Sequence, residues 1–298
     1  SAMTKNRIMG VLTGVLITAL IQSSSATTVM VVSFVNAGLL SLVQSIGVIM
    51  GANIGTTVTA WIISLFGFGK FSISALSIPL MGIALPLIFS SKSKKKSTGE
   101  FIFGFAFLFM GLDFLKSAMP DLQNNPEVLS FVQNFSDMGI GSVLIFLLIG
   151  SVLTILVQSS SATVALTLIM ATKGWIDFPA AAAMIMGENI GTTITANLAA
   201  IPANLSAKRA AFAHFMFNVM GVIWMLFVFK YFVNMVEGLV TSFGPANPAE
   251  MSAFISSLSP EEYTQITTLS KSELSADLVS KQNMYLSYQG ATSYGLSL

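Results

Sequence analysis

The sequence contains no cysteine, and Asp, Glu, Lys and Arg together make up only 9% of its 298 residues. The first absence excludes disulfide staples and thiolate metal sites. The second excludes an ordinary soluble domain, in which charge runs at about 25%. No charged residue occurs between Arg7 and Lys70, nor from Met138 to Thr172. The net charge of +1 gives no basic excess for nucleic acid and no acidic tail. There is a single histidine, no Gly-Lys-Ser/Thr phosphate loop, and no serine with a credible base, so an enzyme is not expected.

What is present is apolar. Hydrophobic residues reach 54%, which makes a lipid bilayer the expected solvent for most of the chain. Lys5 and Arg7 ahead of the run Ile8 to Ile21 resemble a secretory leader. That reading fails because the same segment recurs in mid-chain.

Leu16 to Thr27 reads LITALIQSSSAT and Val152 to Thr163 reads VLTILVQSSSAT; Met50 to Thr57 reads MGANIGTT and Met186 to Thr193 reads MGENIGTT. Both motifs recur at the same separation of 136 residues. A constant offset across two motifs means that a whole structural module is duplicated.

The apolar run Ile8 to Ile21 is shorter than the roughly 20 residues a spanning helix needs, and it ends at Gln22-Ser23-Ser24-Ser25. Two half-length helices meeting at that polar tip predict a re-entrant hairpin, with a second from Leu144 to Ala171. Leu42 to Phe66 is long enough to cross, but Gly51 to Thr57 falls at its middle and predicts a broken helix; Asp177 to Ile201 is its counterpart. Three crossings between the hairpins (the broken helix, Phe71 to Phe89, and Phe101 to Ala118) make the second copy enter from the opposite face. The fold class expected is therefore an all-α polytopic membrane protein with two inverted-topology repeats, each a re-entrant hairpin plus a broken transmembrane helix. Its parts are repeat one at 8–70, two connecting helices at 71–118, an outer loop at 119–139, repeat two with its following helix at 140–232, and a polar tail of unassigned role at 233–298. Ser259-Pro260-Glu261-Glu262 in that tail reads as a helix start.

Lys5, Arg7, Lys92, Lys94, Lys95, Lys96, Lys208 and Arg209 all fall on one side of this topology, which the positive-inside rule makes cytoplasmic. Lys70, Lys116 and Lys173 fall near the other face. The expected location is the cell membrane, with a cytoplasmic N-terminus; a homo-oligomer is compatible with this reading.

Gln, Ser and Thr offer hydroxyl and amide donors to an oxyanion and oxygen ligands to a hard cation. A helix N-terminus adds free N–H groups and about half a positive charge. Two such tips supply roughly one charge, whereas inorganic phosphate carries between one and two negative charges near neutrality. A co-bound sodium ion fills the deficit, held by carbonyls and by Ser, Thr and Asn oxygens. A lone membrane hydroxyl more often bonds the preceding turn or packs at a crossing; the duplication of the whole motif favours function here. Glu188, whose repeat-one partner is Ala52, reads as a sodium ligand, a proton-sensitive group or a hydrogen-bonded packing residue. His214 reads as an interhelical hydrogen bond or as a substrate contact.

These residues resemble the type II sodium-phosphate cotransporter family, marked by a QSSS motif in each of two inverted repeats. Gln22-Ser23-Ser24-Ser25 and Gln158-Ser159-Ser160-Ser161 match it. The companion Gly-x-Asn-Ile-Gly-Thr segment is matched by Gly51 to Thr56 and by Gly187 to Thr192, and a His-x-x-Phe-Asn element is similar to His214 to Asn218. The resemblance covers about residues 8 to 232 and implies a sodium-coupled symporter of inorganic phosphate, with the anion between the QSSS tips. It places sodium, the only co-transported cofactor, near Thr27, Asn53, Thr56, Thr57, Thr163, Asn189, Thr192 and Thr193, with His214 and Asn218 alongside; Glu188, where many members have a small residue, is added to this set as an ion site from its own position. Gly38 stands where some members carry an acidic residue tied to net charge movement. A carrier of another oxyanion, such as carboxylate or sulfate, and a non-transporting phosphate sensor remain as alternatives.

Overall fold

The computed structural model describes residues 6–68, 76–118, 135, 139–244 and 246–298. Lys5, Lys70, the start of the span at Phe71 and most of the 119–139 loop lie outside the described residues. The described elements are helical. Helices α1 (Arg7–Ile21) and α2 (Ser24–Asn36) flank the first polar tip and lead to α3 (Leu42–Gly67). After α4 (Ser77–Ile88) and α5 (Ser93–Ala118), the duplicate module supplies α6 (Ile140–Val157), α7 (Ser160–Thr172), α8 (Phe178–Gly191) and α9 (Thr193–Ala200). The chain continues through α10 (Leu205–Phe243) into α11 (Met251–Ser256), α12 (Pro260–Thr268) and α13 (Ala276–Ser297).

Helix starts follow local capping chemistry. Ser41 and Gln44 form a reciprocal capping box at α3, Asp177 accepts from the N–H of Ala180 at α8, and Asn204 accepts from Ala207 at α10. Ser259 and Glu262 form a second capping box at α12, where the sequence places a helix start.

Among the described residues, α3, α5, α6 and α10 are long and apolar enough to cross a membrane. Ile140–Val157 reaches that length where half a span was expected, because its helix starts ahead of Leu144. Many large apolar side chains point away from the protein, including Ile78 at 74% and Phe227 at 81% exposed. Together with the apolar spans, this outward surface makes the chain a membrane protein.

Inside each module, two helices run side by side in the same direction. Gly47, Gly51 and Gly55 of α3 lie against Arg7, Val11 and Val15 of α1 in rising order. Gly187 and Gly191 of α8 repeat the pattern against Leu147 and Ser151 of α6. The approach is backbone on backbone: a Cβ at Gly51 would strike the carbonyl oxygen of Val11, and one at Gly187 the carbonyl oxygen of Leu147.

This seam corrects the expected broken helices. α3 passes through Gly51-Ala52-Asn53-Ile54-Gly55-Thr56-Thr57 without interruption. Its glycines remove side chains where α1 presses in, and its intrahelical bonds stay intact. In the second module the interruption is a single residue, Thr192, which keeps right-handed helical angles and donates its N–H to Glu188 O.

One core joins the halves: Ile63 of α3 and Phe68 just beyond it with Phe109 of α5, Leu168 of α7 and Met184 of α8. A second joins Val31 and Val32 of α2 and Ile49 of α3 to alanines of α9 and α10. α10 runs 39 residues, about 58 Å at the usual rise, so its C-terminal part extends beyond a hydrocarbon core of about 30 Å. The helix therefore passes Asn234 and reaches Phe243, so the expected start of a separate tail falls inside it. The remaining segment builds its own cluster of Met251, Tyr263, Ile266 and Tyr285. It then drives α13 between α3 and α7, burying Thr292, Ser293 and Ser297.

Candidate functional site

The site begins with two strained residues. Gln22 and Gln158 both sit at φ 57, in the left-handed region, and they are the non-glycine residues to do so among those described. Each ends one helix and turns the chain into the next within two residues. A glutamine held there against the steric preference of L-residues costs about 1–2 kcal/mol, so the surrounding fold is imposing the turn.

The turn exposes a helix start. Ser23 Oγ accepts from the N–H of Ala26 at 3.2 Å, and Ser159 Oγ accepts from Ala162 at 3.3 Å. Helical bonding begins with Thr27 N–H to Ser23 O and Thr163 N–H to Ser159 O. The N–H groups of Ser24, Ser25, Ser160 and Ser161 precede that first bond and are not used by it. Gln22 is fixed on both sides, its amide donating to Ala19 O and its Oε1 accepting from Thr59. Gln158 is exposed.

The two tips meet. Ser24 Oγ and Ser160 Oγ lie 3.4 Å apart, both buried. Behind the first tip Thr18 donates to Thr27 Oγ1 at 3.1 Å. Thr18 and Thr59 are contributors not named from the sequence: Thr18 lies inside the repeated segment but four residues ahead of its polar tip, and Thr59 lies just beyond the second motif.

The residues expected to hold sodium divide into groups. Thr27, Thr56, Thr57, Thr163, Thr192 and Thr193 each donate to a carbonyl three or four residues back along the chain. Each of these hydroxyl oxygens keeps a lone pair for a cation, although that of Thr27 also accepts from Thr18. Asn53 instead joins a three-residue network. Its amide donates to Asn218 Oδ1 at 2.6 Å, its Oδ1 faces His214 Nε2 at 3.1 Å, and Asn218 donates to His214 O. An amide oxygen only accepts, so Nε2 carries the proton and the buried Nδ1 has no partner among the described residues. His214 thus makes the interhelical bond that sequence offered as one of its two roles.

Asn53, Thr56 and Thr57 of the first module face Asn189 of the second across a cavity of about 430 Å³, bounded also by Asn218 and Ser297. Neither QSSS tip lines it. Glu188 lies apart, 1% exposed, with Oε1 accepting from Thr167 Oγ1 at 2.6 Å. No group of three or more acidic or histidine side chains suited to a transition metal occurs among the described residues.

Comparison with known proteins gives a consistent picture. The model of the Na+/Pi-cotransporter family matches residues 1–117 and 131–245. The uncharacterized Bacillus subtilis protein YqeW is 32% identical over 258 residues, covering 86% of this chain and 78% of that protein. The putative inorganic phosphate export protein YjbB of Escherichia coli K12 is 32% identical over 210 residues, covering 70% of this chain and 37% of its own length. The sheep sodium-dependent phosphate transport protein 2A is 46% identical over 69 residues, or 23% of this chain and 11% of that protein. No solved structure matches.

Proposed function

This chain belongs to the Na+/Pi-cotransporter family, and from that premise we propose that it is a sodium-coupled symporter of inorganic phosphate that binds the anion at the two QSSS tips. The observation that carries this reading is the 3.4 Å approach of Ser24 to Ser160, each the first residue of a helix entered through a left-handed glutamine. Two duplicated helix starts aimed at one point concentrate unspent N–H donors and about one positive charge where an oxyanion is best stabilised. With the hydroxyls in contact, phosphate enters only as the tips part. Its remaining charge is met by sodium, through the oxygens of Thr27, Thr163, Asn53, Asn189, Thr56, Thr57, Thr192, Thr193 and Glu188. Coupling follows from the electrostatics: without the cation the anion sits poorly compensated in a low-dielectric site.

Contacts support re-entrant, oppositely directed repeats. α1 and α3 run parallel, so α2 brings the chain back to the end where α1 began. There Asn36, closing α2, bonds Asn204 just ahead of Lys208 and Arg209. α7 ends at Lys173, whose ammonium donates to Lys116 O, while Lys116 donates to Gly67 O at the far end of α3. The two return helices thus finish at opposite ends, with Arg7, Lys208 and Arg209 gathered at one of them. That end is assigned to the cytoplasm, and the membrane to the cell membrane.

The name of YjbB speaks of export, and a carrier moves its substrate down whichever combined gradient prevails. The deciding experiment is phosphate flux in proteoliposomes under imposed sodium gradients of either sign. Uptake driven by outside sodium, abolished in choline and unaffected by excess sulfate or succinate, is the expected result. Equal uptake in choline sinks the coupling, displacement by succinate alone sinks the substrate, and binding without flux favours a sensor.

A further inference from the structure

Glu188 is a buried carboxyl with one of its two oxygens hydrogen-bonded. Oε1 accepts from Thr167 at 2.6 Å, while Oε2 is buried and has no partner among the described residues. No Lys, Arg or His forms an ion pair with it among the described residues. A carboxylate removed from water and left without a counter-charge is strongly disfavoured, so the residue is either neutralised by a proton or matched by a cation.

One feature separates these outcomes. The 2.6 Å Thr167 bond fits a carboxyl in either protonation state. A proton on Oε2 would itself become a buried donor with nothing to accept it, and a proton on Oε1 donated to Thr167 Oγ1 would leave Oε2 still unmatched, whereas a bound cation uses the Oε2 lone pair directly. A lone carboxylate beside the Thr167 hydroxyl, outside any group of three or more acidic or histidine side chains among the described residues, suits a hard monovalent ion rather than a transition metal.

The repeat supplies an internal control. At the shared spacing, Thr167 corresponds to Val31 and Glu188 to Ala52, both buried and apolar. In the second module the α7–α8 interface therefore carries a hydroxyl and a carboxyl where the equivalent α2–α3 interface carries neither. Both members of the pair change together, as expected if they serve one ligand.

We propose that Glu188 Oε2 and Thr167 Oγ1 form a sodium site that exists in the second repeat alone, one module holding a cation for which the other has no seat. The inference rests on the sodium coupling proposed above and names a residue, Thr167, outside the repeated motifs. It makes sodium binding asymmetric between two otherwise matching halves.

The test is equilibrium binding of 22Na+ to the purified full chain without phosphate, paired with phosphate flux. Glu188→Gln keeps the side-chain shape, and Glu188→Ala with Thr167→Val installs the packing already present in the first module. Both variants are expected to bind one sodium fewer per chain than wild type. Their half-saturating sodium for phosphate uptake rises by about tenfold or more. Unchanged sodium stoichiometry in Glu188→Gln overturns the site. So does an infrared carbonyl band of a protonated acid in wild type at saturating sodium that vanishes in Glu188→Gln. Loss of one sodium in the variants, with no phosphate flux in wild type, supports the site and counts against the transport reading alone.

Discussion

Ser24 and Ser160 carry the most direct prediction at the scale of single residues. If their hydroxyls contact the anion, Ser24→Ala and Ser160→Ala each remove a hydrogen bond to a charged ligand, typically about 1.5–3 kcal/mol. Phosphate affinity is then expected to fall by tenfold or more in each, measured as the half-saturating concentration for sodium-driven uptake, with thermal stability nearly unchanged. Equal losses at the two serines would match their meeting in the structure; a loss at one alone would place phosphate on a single tip. Asn53 makes the opposite kind of prediction. Asn53→Leu strips His214 Nε2 and Asn218 Oδ1 of their partner. Stability should drop by about 1–3 kcal/mol in a denaturation measurement. At this scale the repeated strings in the sequence led straight to both glutamines and all six serines. They did not lead to Thr167, which declares itself only when apolar positions of one repeat are compared with polar ones of the other.

Helices α1 and α3, and α6 and α8, make the glycine seams the feature to test at the scale of elements. Gly51→Ala and Gly187→Ala force a methyl group onto a backbone oxygen and are expected to cost about 1–3 kcal/mol or more, seen as a lowered melting temperature in detergent. Gly221→Ala, where a Cβ meets nothing within 4 Å, is the control and should shift stability by no more than about 0.5 kcal/mol. The same glycines show why one part of the fold was misread from sequence. Paired glycines inside an apolar helix fit both a break and a close crossing, and only the partner's identity separates them. Val11 and Leu147 lie too far along the chain for any local pattern to name them as that partner. Helix starts were legible, because capping is settled within three or four residues: Ser259 with Glu262 is the clearest case.

On the scale of the whole molecule, α13 ties the C-terminal segment to the halves. Ser64 Oγ and Ser293 Oγ lie 3.2 Å apart, Ser297 donates to Ala60 O, and Trp61 meets Tyr294 edge to face. Composition gave no hint of this docking, since a helix rich in Gln, Ser and Gly has no hydropathy signal and its burial depends on small side chains fitting between two others. The natural absence of cysteine makes a clean test available. Ser64→Cys with Ser293→Cys should form a disulfide under mild oxidation in native membranes, read as loss of maleimide labelling that reductant restores. Failure to form would mean that the segment sits elsewhere in the bilayer.

Where main chains touch through glycine there are no rotamers to rearrange, so each parallel pair resists internal shear. α1 with α3 and α6 with α8 behave as stiff planks. Any rocking that opens the molecule to one side of the bilayer tilts each plank as a body, and the bending falls on the neighbouring helices, whose bulkier side chains can slide.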